Sequence, residues 1–180
     1  MTTKTRLTAD DLERMPDDDS AIVELDEGEL ITMPLAGEDH GYFEVRILNR
    51  IFSFVDQHNL GRVYPGDTGF RLNDEIVRGP DISFVRRERV EALRSQGFAK
   101  GVPDLAIEIL SPSQSFRQLL RKTKQYLAAG CQVVTIVNRD AREIDVFKAD
   151  GSEYTLQAGD TLEIPELLPG FSVKVGELFQ

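Results

Sequence analysis

A carboxylate inside an apolar strand is the residue of this chain that most needs a partner. The stretch PDLAIEIL, residues 103–110, alternates as a strand does. Leu105, Ile107 and Ile109 fall on one face, and Ala106, Glu108 and Leu110 on the other. Desolvation penalises the charge of Glu108 there, so something cationic must meet it, either a side chain or a metal ion. Asp104 lies on the same face but ~13 Å away along an extended strand, too far to share an ion whose oxygen ligands sit at about 2.0–2.6 Å. A second ligand has to come from a neighbouring strand. Asp81, which opens the apolar run DISFV after Gly79-Pro80, is the natural candidate. Two carboxylates on adjacent strands, with water in the remaining positions, suit a hard ion such as Mg²⁺. An ion pair between Glu108 and a lysine or arginine would meet the same need.

Two lysines follow Glu108 on the next helix. Lys122 lies on the side of Ser115, Leu119 and Tyr126, and Lys124 on the side of Arg117. Only one of them can face a given sheet edge, and helix geometry alone does not choose between them. His40 and Glu44 are one helical turn apart and share a face. A His–Glu pair at that spacing can do proton chemistry, or it can be a solvated helix start. No cluster of His and Cys offers a zinc site.

The elements that must position these groups follow from periodicity. Ser111-Pro112 breaks the strand of Glu108, and a helix is predicted from about residue 113 with Phe116, Leu119, Leu120, Thr123 and Leu127 as its buried stripe. A longer helix is predicted over residues 39–58 from Phe43, Ile47, Ile51, Phe54 and Val55. Gly61 is expected to take its left-handed cap and His58 to complement its C-terminal dipole. Thr8 reads as the N-cap of a short first helix, with Asp10 and Asp11 in its first turn. The acidic triplet Asp17-Asp18-Asp19 reads as a solvated loop. Residues 22–25 and 29–33 form a hairpin around Asp26-Glu27-Gly28. Strands are expected at 62–64, 68–72, 81–85, 132–138, 144–147 and 171–175. This order predicts one α/β domain over residues 1–180, a mixed central sheet flanked by helices, with an N-terminal helix and hairpin.

Composition limits what the domain can do. The 180 residues are 41% hydrophobic and 29% charged, which fits a globular chain with one sizeable core. Lys and Arg number 21 against 31 Asp and Glu, a formal charge of -10 that argues against a nonspecific nucleic-acid coat. Cations cluster locally at Arg86, Arg87, Arg89 and Arg94, and again at Arg117 and Arg121. The single cysteine, Cys131, fits a reducing compartment. With no apolar signal core and no apolar run of spanning length, the expected location is cytoplasmic, without a membrane partner.

The segments HGYFEVRILNRI, GLGRVYPGDTGFRL, VRGPDISFVRRERV, GFAKGVPDLAIEILSPSQ, KTKQYLAAG and LPGFSVKVGELF resemble the Uma-two endonuclease family. That family belongs to the PD-(D/E)XK restriction-endonuclease-like superfamily. The resemblance runs from about Glu24 to Phe179. It implies a restriction-endonuclease-like sheet with Asp81 and Glu108 as metal ligands and the carbonyl of Ile109 as a third. The superfamily's usual lysine, two residues past the glutamate, is replaced by Leu110. In this family it looks migrated onto the following helix, where the matching position is Lys122.

The reaction implied is phosphodiester hydrolysis with Mg²⁺, or Mn²⁺ as a substitute. Asp81, Glu108 and Lys122 would be catalytic, and Glu44 and His40 possible additions. Arg86, Arg87, Arg117 and Arg121 would rim a cleft for nucleic acid, with DNA as the expected substrate. The apolar closing residues 167–179, together with the resemblance, point to a two-fold homodimer. The chain departs from the family at Gln114 and Gln118, where acids are usual, at Thr135 in place of tryptophan, and at Asn138 in place of aspartate. A competing expectation is a nuclease-fold binding or assembly module without turnover. Hydrolysis of small phosphate esters is distant, because no phosphate-cradling glycine loop is present.

Overall fold

The computed structural model describes residues 6–16, 22–112 and 114–180. The expected acidic loop at Asp17, Asp18 and Asp19, and Ser113, where the later helix was expected to begin, lie outside them. In chain order the elements are α1 (Ala9–Glu13), β1 (Ile22–Asp26), β2 (Glu29–Met33), α2 (Glu38–His58), β3 (Gly61–Pro65), β4 (Phe70–Asn73), β5 (Ile76–Arg78) and β6 (Ile82–Arg86). There follow α3 (Arg87–Leu93), β7 (Ala99–Lys100), β8 (Leu105–Ile109), α4 (Phe116–Ala128), β9 (Val133–Asn138), β10 (Glu143–Lys148), β11 (Glu153–Leu156), β12 (Thr161–Glu163), β13 (Ser172–Lys174) and α5 (Val175–Leu178).

Six strands form the central sheet in the order β11-β10-β9-β8-β6-β3, and the N-terminal hairpin belongs to a second sheet, β2-β1-β5-β4-β7. Strand β8 is paired on both sides, antiparallel to β6 and parallel to β9. The parallel pair needs a crossover, and α4 supplies it. Side-chain alternation along β8 then assigns the layers. Leu105, Ile107 and Ile109 join Phe43, Ile47, Ile51 and Val55 of α2 in the main core. Ala106 faces the other way, into a cluster with Tyr126 of α4, Val134 and Cys131.

Local chemistry explains the helix starts. Thr8 caps α1 and closes a capping box with Asp11. Ser115 caps α4 and closes one with Gln118. Gln118, one of the departures from the family pattern, is therefore a working part of the start of α4. Helix α2 ends differently from expectation. Asn59, with φ 53 and ψ 43, is the left-handed cap. Asparagine tolerates that conformation. Gly61 instead opens β3, where an added Cβ would stand 2.0 Å from the Val85 carbonyl oxygen.

The stripe of α4 is rotated from its predicted position. Leu119, Lys122, Thr123 and Tyr126 are its buried residues, while Phe116 is 39% exposed. Apolar periodicity passed over Lys122 and Tyr126 because both carry polar ends. Short strands β5, β11 and β12 and the last turn α5 also escaped the pattern, having too few residues to show a period.

The closing segment is not a free apolar surface. Leu167, Leu168, Phe171, Val173, Val175 and Leu178 all pack into the main core. Its apolarity therefore gives no support to a dimer face. Leu168 is fully buried, so Leu168→Ala should cost about 2–5 kcal/mol in denaturant unfolding and leave the sedimentation coefficient of the folded protein unchanged. Altered association without lost stability would place this segment at an interface after all.

Candidate functional site

The register of β6 on β8 decides where the charges fall. Ile82 pairs with Ile107 and Phe84 with Leu105, running antiparallel. The N-terminal end of β6 therefore reaches the C-terminal end of β8, which puts Asp81 beside the Glu108–Ile109 peptide. The Ile109 amide donates to Asp81 Oδ2 at 2.6 Å. That bond fixes the Asp81 carboxylate at this end of the sheet.

Helix α2 brings two more groups to the same place. His40 Nε2 lies 3.4 Å from Asp81 Oδ1. Glu44 Oε1 accepts from the Gly66 amide at 3.3 Å. One ligand atom from each of His40, Glu44 and Asp81 falls within 4.8 Å of the others. His40 and Glu44 are half-buried, so they are not the solvated helix start that spacing also allowed. The hydrogen bond to Asp81 raises the pKa of His40, against the opposing effect of burial. Burial, then the Asp81 charge, raises that of Glu44.

Glu108 is met from the other side by α4. Tyr126 donates to Oε1 at 2.8 Å, and Lys122 Nζ stands 3.4 Å from Oε2. Burial pushes the Glu108 carboxyl up to about 7, with Lys122 pulling the other way. Burial opposes the charge of Lys122, yet Glu108 and Glu24 together hold its pKa above the ordinary lysine value. Lys124 is exposed. Of the two lysines, the geometry turns Lys122 inward.

Sequence reasoning missed Glu24. It is 1% exposed on β1, accepts from Lys122 Nζ at 2.9 Å and is paired with Arg78 at 2.8 Å. The signal existed, since an acid within the apolar run Ile22-Val23-Glu24-Leu25 poses the same question as Glu108. Arg78 also meets Asp26 at 2.7 Å and Gln125 Oε1 at 2.9 Å.

The expected substrate-binding arginines do not converge on this place. Arg86 stands at the opposite end of β6 from Asp81, about 16 Å along the strand. There Arg86 and Arg89 pair with the buried Asp104, at 3.0 and 2.8 Å. Arg87 donates to the carbonyl of Asn59. Arg121 pairs with Asp26 and Glu27 of the hairpin. Arg117 is exposed on the first turn of α4, next to Phe116, which lines the cleft.

Asp81, Glu108, Ile109, His40 and Lys122 share the lining of one cleft of about 770 Å³. Its walls include Met33, Leu35, Phe43 and Phe116, with Gln114 at one side and Asn138, Arg139 and Asp140 at another. Asn138 also accepts from the Ala141 amide at 3.1 Å, closing the turn that follows β9. Cys131 is buried elsewhere and its thiol is pushed up to about 12 by burial, which leaves it no nucleophilic part. Among the described residues no helix is long and apolar enough to cross a membrane.

A family model named Uma2, described as "Putative restriction endonuclease", matches residues 9–176. Among solved structures, the chain is similar to one described as a "putative nuclease belonging to DUF820" from Anabaena variabilis ATCC 29413. The two are 22% identical, the match covers 96% of this chain and 97% of that one, and the TM-score is 0.82. No curated protein matches.

The elevated carboxyl of Glu108 has a consequence for stability. In the unfolded chain a glutamate titrates near 4.5, whereas in the fold Glu108 holds its proton up to about 7. Between those values the folded state binds more protons, so this group's contribution to stability falls as pH rises through the window. Glu108→Gln removes that loss. The difference in melting temperature, variant minus parent, should grow between about pH 5 and about pH 8. A constant or shrinking difference would mean that Lys122 keeps Glu108 ionised throughout.

Proposed function

The chain belongs to the Uma2 family, and from that premise we propose that it is a metal-dependent endonuclease hydrolysing phosphodiester bonds of nucleic acid. The observation that carries this reading is the meeting of Asp81, His40 and Glu44 at one point, with Glu108 and Lys122 lining the cleft beside Asp81. The donor set suits a divalent cation. Carboxylate oxygens accept Mg²⁺ or Mn²⁺, and an imidazole adds tolerance for transition metals. Asp81 and Glu108 would hold the ion from the sheet, with Glu44 and His40 from α2. The Ile109 carbonyl, a ligand by family resemblance, belongs to the residue whose amide already orients Asp81.

A bound divalent ion would polarise a phosphate oxygen and lower the pKa of an attacking water. The chain's own groups do the rest. Asp81 offers a carboxylate that needs no reorientation. Glu108 becomes available when its proton leaves. His40 at Nε2 and Glu44 at its carboxylate each hold a proton more readily than the free group does, His40 through its hydrogen bond to Asp81 and Glu44 through burial. Lys122 sets an ammonium beside Glu108, where negative charge develops on a phosphate in the cleft.

The surroundings shape what substrate contact is open to the cleft. Glu38, Asp39 and Asp140 also line it, and the only lysine or arginine there among the described lining residues are Lys122 and Arg139. Nucleic acid, DNA by family resemblance, would then be held by few phosphate contacts. Its affinity would depend on the ion and fall only shallowly with salt. That acidic rim is also what favours the second reading, a nuclease fold that binds without turnover. Two-fold assembly rests on the resemblance alone.

Asp81→Ala should abolish the rise in melting temperature produced by millimolar Mn²⁺ and the cleavage of a labelled oligonucleotide. Lys122→Met should keep the Mn²⁺ shift and lose cleavage by about 10²–10³-fold. An equal Mn²⁺ response in the parent and Asp81→Ala would move the metal elsewhere. A parent with the metal shift and no cleavage of any oligonucleotide would select the binding module. Because His40, Glu44 and Glu108 hold protons unusually well, Mn²⁺ affinity should rise with pH through neutrality, with proton release measurable by calorimetry in two buffers. Affinity independent of pH would remove them from the ligand set.

A further inference from the structure

Glu24 lies on the hairpin, in a different sheet from Glu108 and from β6, the strand that Asp81 precedes, yet it touches both approaches to the site. Its Oε1 accepts from Lys122 Nζ at 2.9 Å and from the Gly79 amide at 3.0 Å. Gly79 is two residues before Asp81. Its Oε2 accepts from Arg78 at 2.8 Å. Arg78 does not depend on this acid alone, because Asp26 lies 2.7 Å away and Gln125 accepts from it at 2.9 and 2.7 Å. What Glu24 alone supplies is a second carboxylate for Lys122, closer than Glu108 at 3.4 Å.

The charges balance in a way that assigns each a part. Among the described residues the buried cations at this junction are Arg78 and Lys122, and the hairpin answers them with Asp26 and Glu24. Tyr126 is neutral and donates to Glu108. Glu108 is therefore the carboxyl left without a cation of its own, next to Asp81. Without Glu24, Lys122 would have Glu108 as its near carboxylate. A buried ammonium cannot stay unpaired, so Lys122 would close on Glu108 and occupy it.

We propose that Glu24 is a positioning residue that holds and neutralises Lys122, and thereby keeps Glu108 available to a divalent cation. This rests on the metal-dependent reading of the cleft. It also gives the N-terminal hairpin a task in the site. Through one carboxylate the hairpin fixes both the helix that carries Lys122 and the segment that leads into Asp81.

The test is a double-variant cycle read by Mn²⁺ binding to the full chain, with isothermal calorimetry and no activity assay. Glu24→Gln should weaken Mn²⁺ by about tenfold or more, the scale expected when a group behind a ligand is lost. Adding Lys122→Met to Glu24→Gln should restore most of the affinity, because the competing ammonium is gone. General damage to the fold would leave the double variant as weak as the single one, and that result overturns the proposal. Should Glu24→Gln melt below the assay temperature, Glu24→Asp serves instead. It withdraws the carboxylate from Lys122 by one methylene while keeping its charge near Arg78, and the same loss and recovery are expected. A parent that binds Mn²⁺ with Glu24→Gln equally tight overturns this inference alone. A parent that binds no Mn²⁺ overturns the metal-dependent reading and this inference with it.

Discussion

Ile82 opposite Ile107, and Phe84 opposite Leu105, is one choice of register between two apolar strands. Every charged residue around them is distributed by that choice. Antiparallel pairing carries Arg86 to Asp104 at one end of β8 and Asp81 to Glu108 at the other. The result is one end with its charge neutralised and one end with charge to spare. A slip of one residue would turn Ile82 and Phe84 out of the core that α2 covers, so burial on that face holds the register. The functional end is thus set by hydrophobic packing some way from it.

The surplus end is tolerable because the fold surrounds it with partners of graded strength. Glu108 has a phenol and, at 3.4 Å, an ammonium shared with Glu24. Asp81 has a backbone amide and an imidazole. Lys122 has two carboxylates, and Arg78 has two carboxylates and an amide oxygen. Ion pairs buried this deeply contribute little net stability, since desolvation offsets most of their attraction. Their value is in geometry. Each long side chain is tied at its tip, so it has few other rotamers in reach. The raised pKa of Glu108 marks the remaining imbalance, the affinity of a desolvated carboxylate for a positive charge that the protein itself does not fully supply.

Acidity overall and basicity in patches turn out to be separate matters here. Arg86, Arg89 and Arg94 pair with Asp104, Glu88 and Glu91 instead of rimming a cleft. The short linear cluster of arginines anchors α3 to the ends of β6 and β8. The cleft itself is lined mainly by acids and apolar side chains, with Lys122 and Arg139 as its cations among the described residues. A polyanion reaching it would depend on a cation at the Asp81 end more than on the protein's own lysines and arginines.

From residues alone came the strand of Glu108, the long helix with His40 and Glu44 on one face, the hairpin, the central-sheet strands other than β11, and Asp81 as the acid opening its strand. Each of these is written in a short local period or in a turn residue, and a local pattern needs no knowledge of the fold. The restriction-endonuclease-like fold followed from ordered motifs over most of the chain. What stayed open was every question of which side chains meet. Lys122 and Lys124 flank the predicted stripe on opposite sides, and only the docking of α4 against the sheet buries one and exposes the other. Glu24 and Lys122 are 98 residues apart, and no period links β1 to α4. Likewise the arginines after Asp81 seemed near the site because they are near in sequence. An extended strand carries its two ends apart, so residues close along β6 serve opposite ends of the sheet. Periodicity reports the face on which a side chain lies, and contact between faces is decided by packing, which only the tertiary structure contains.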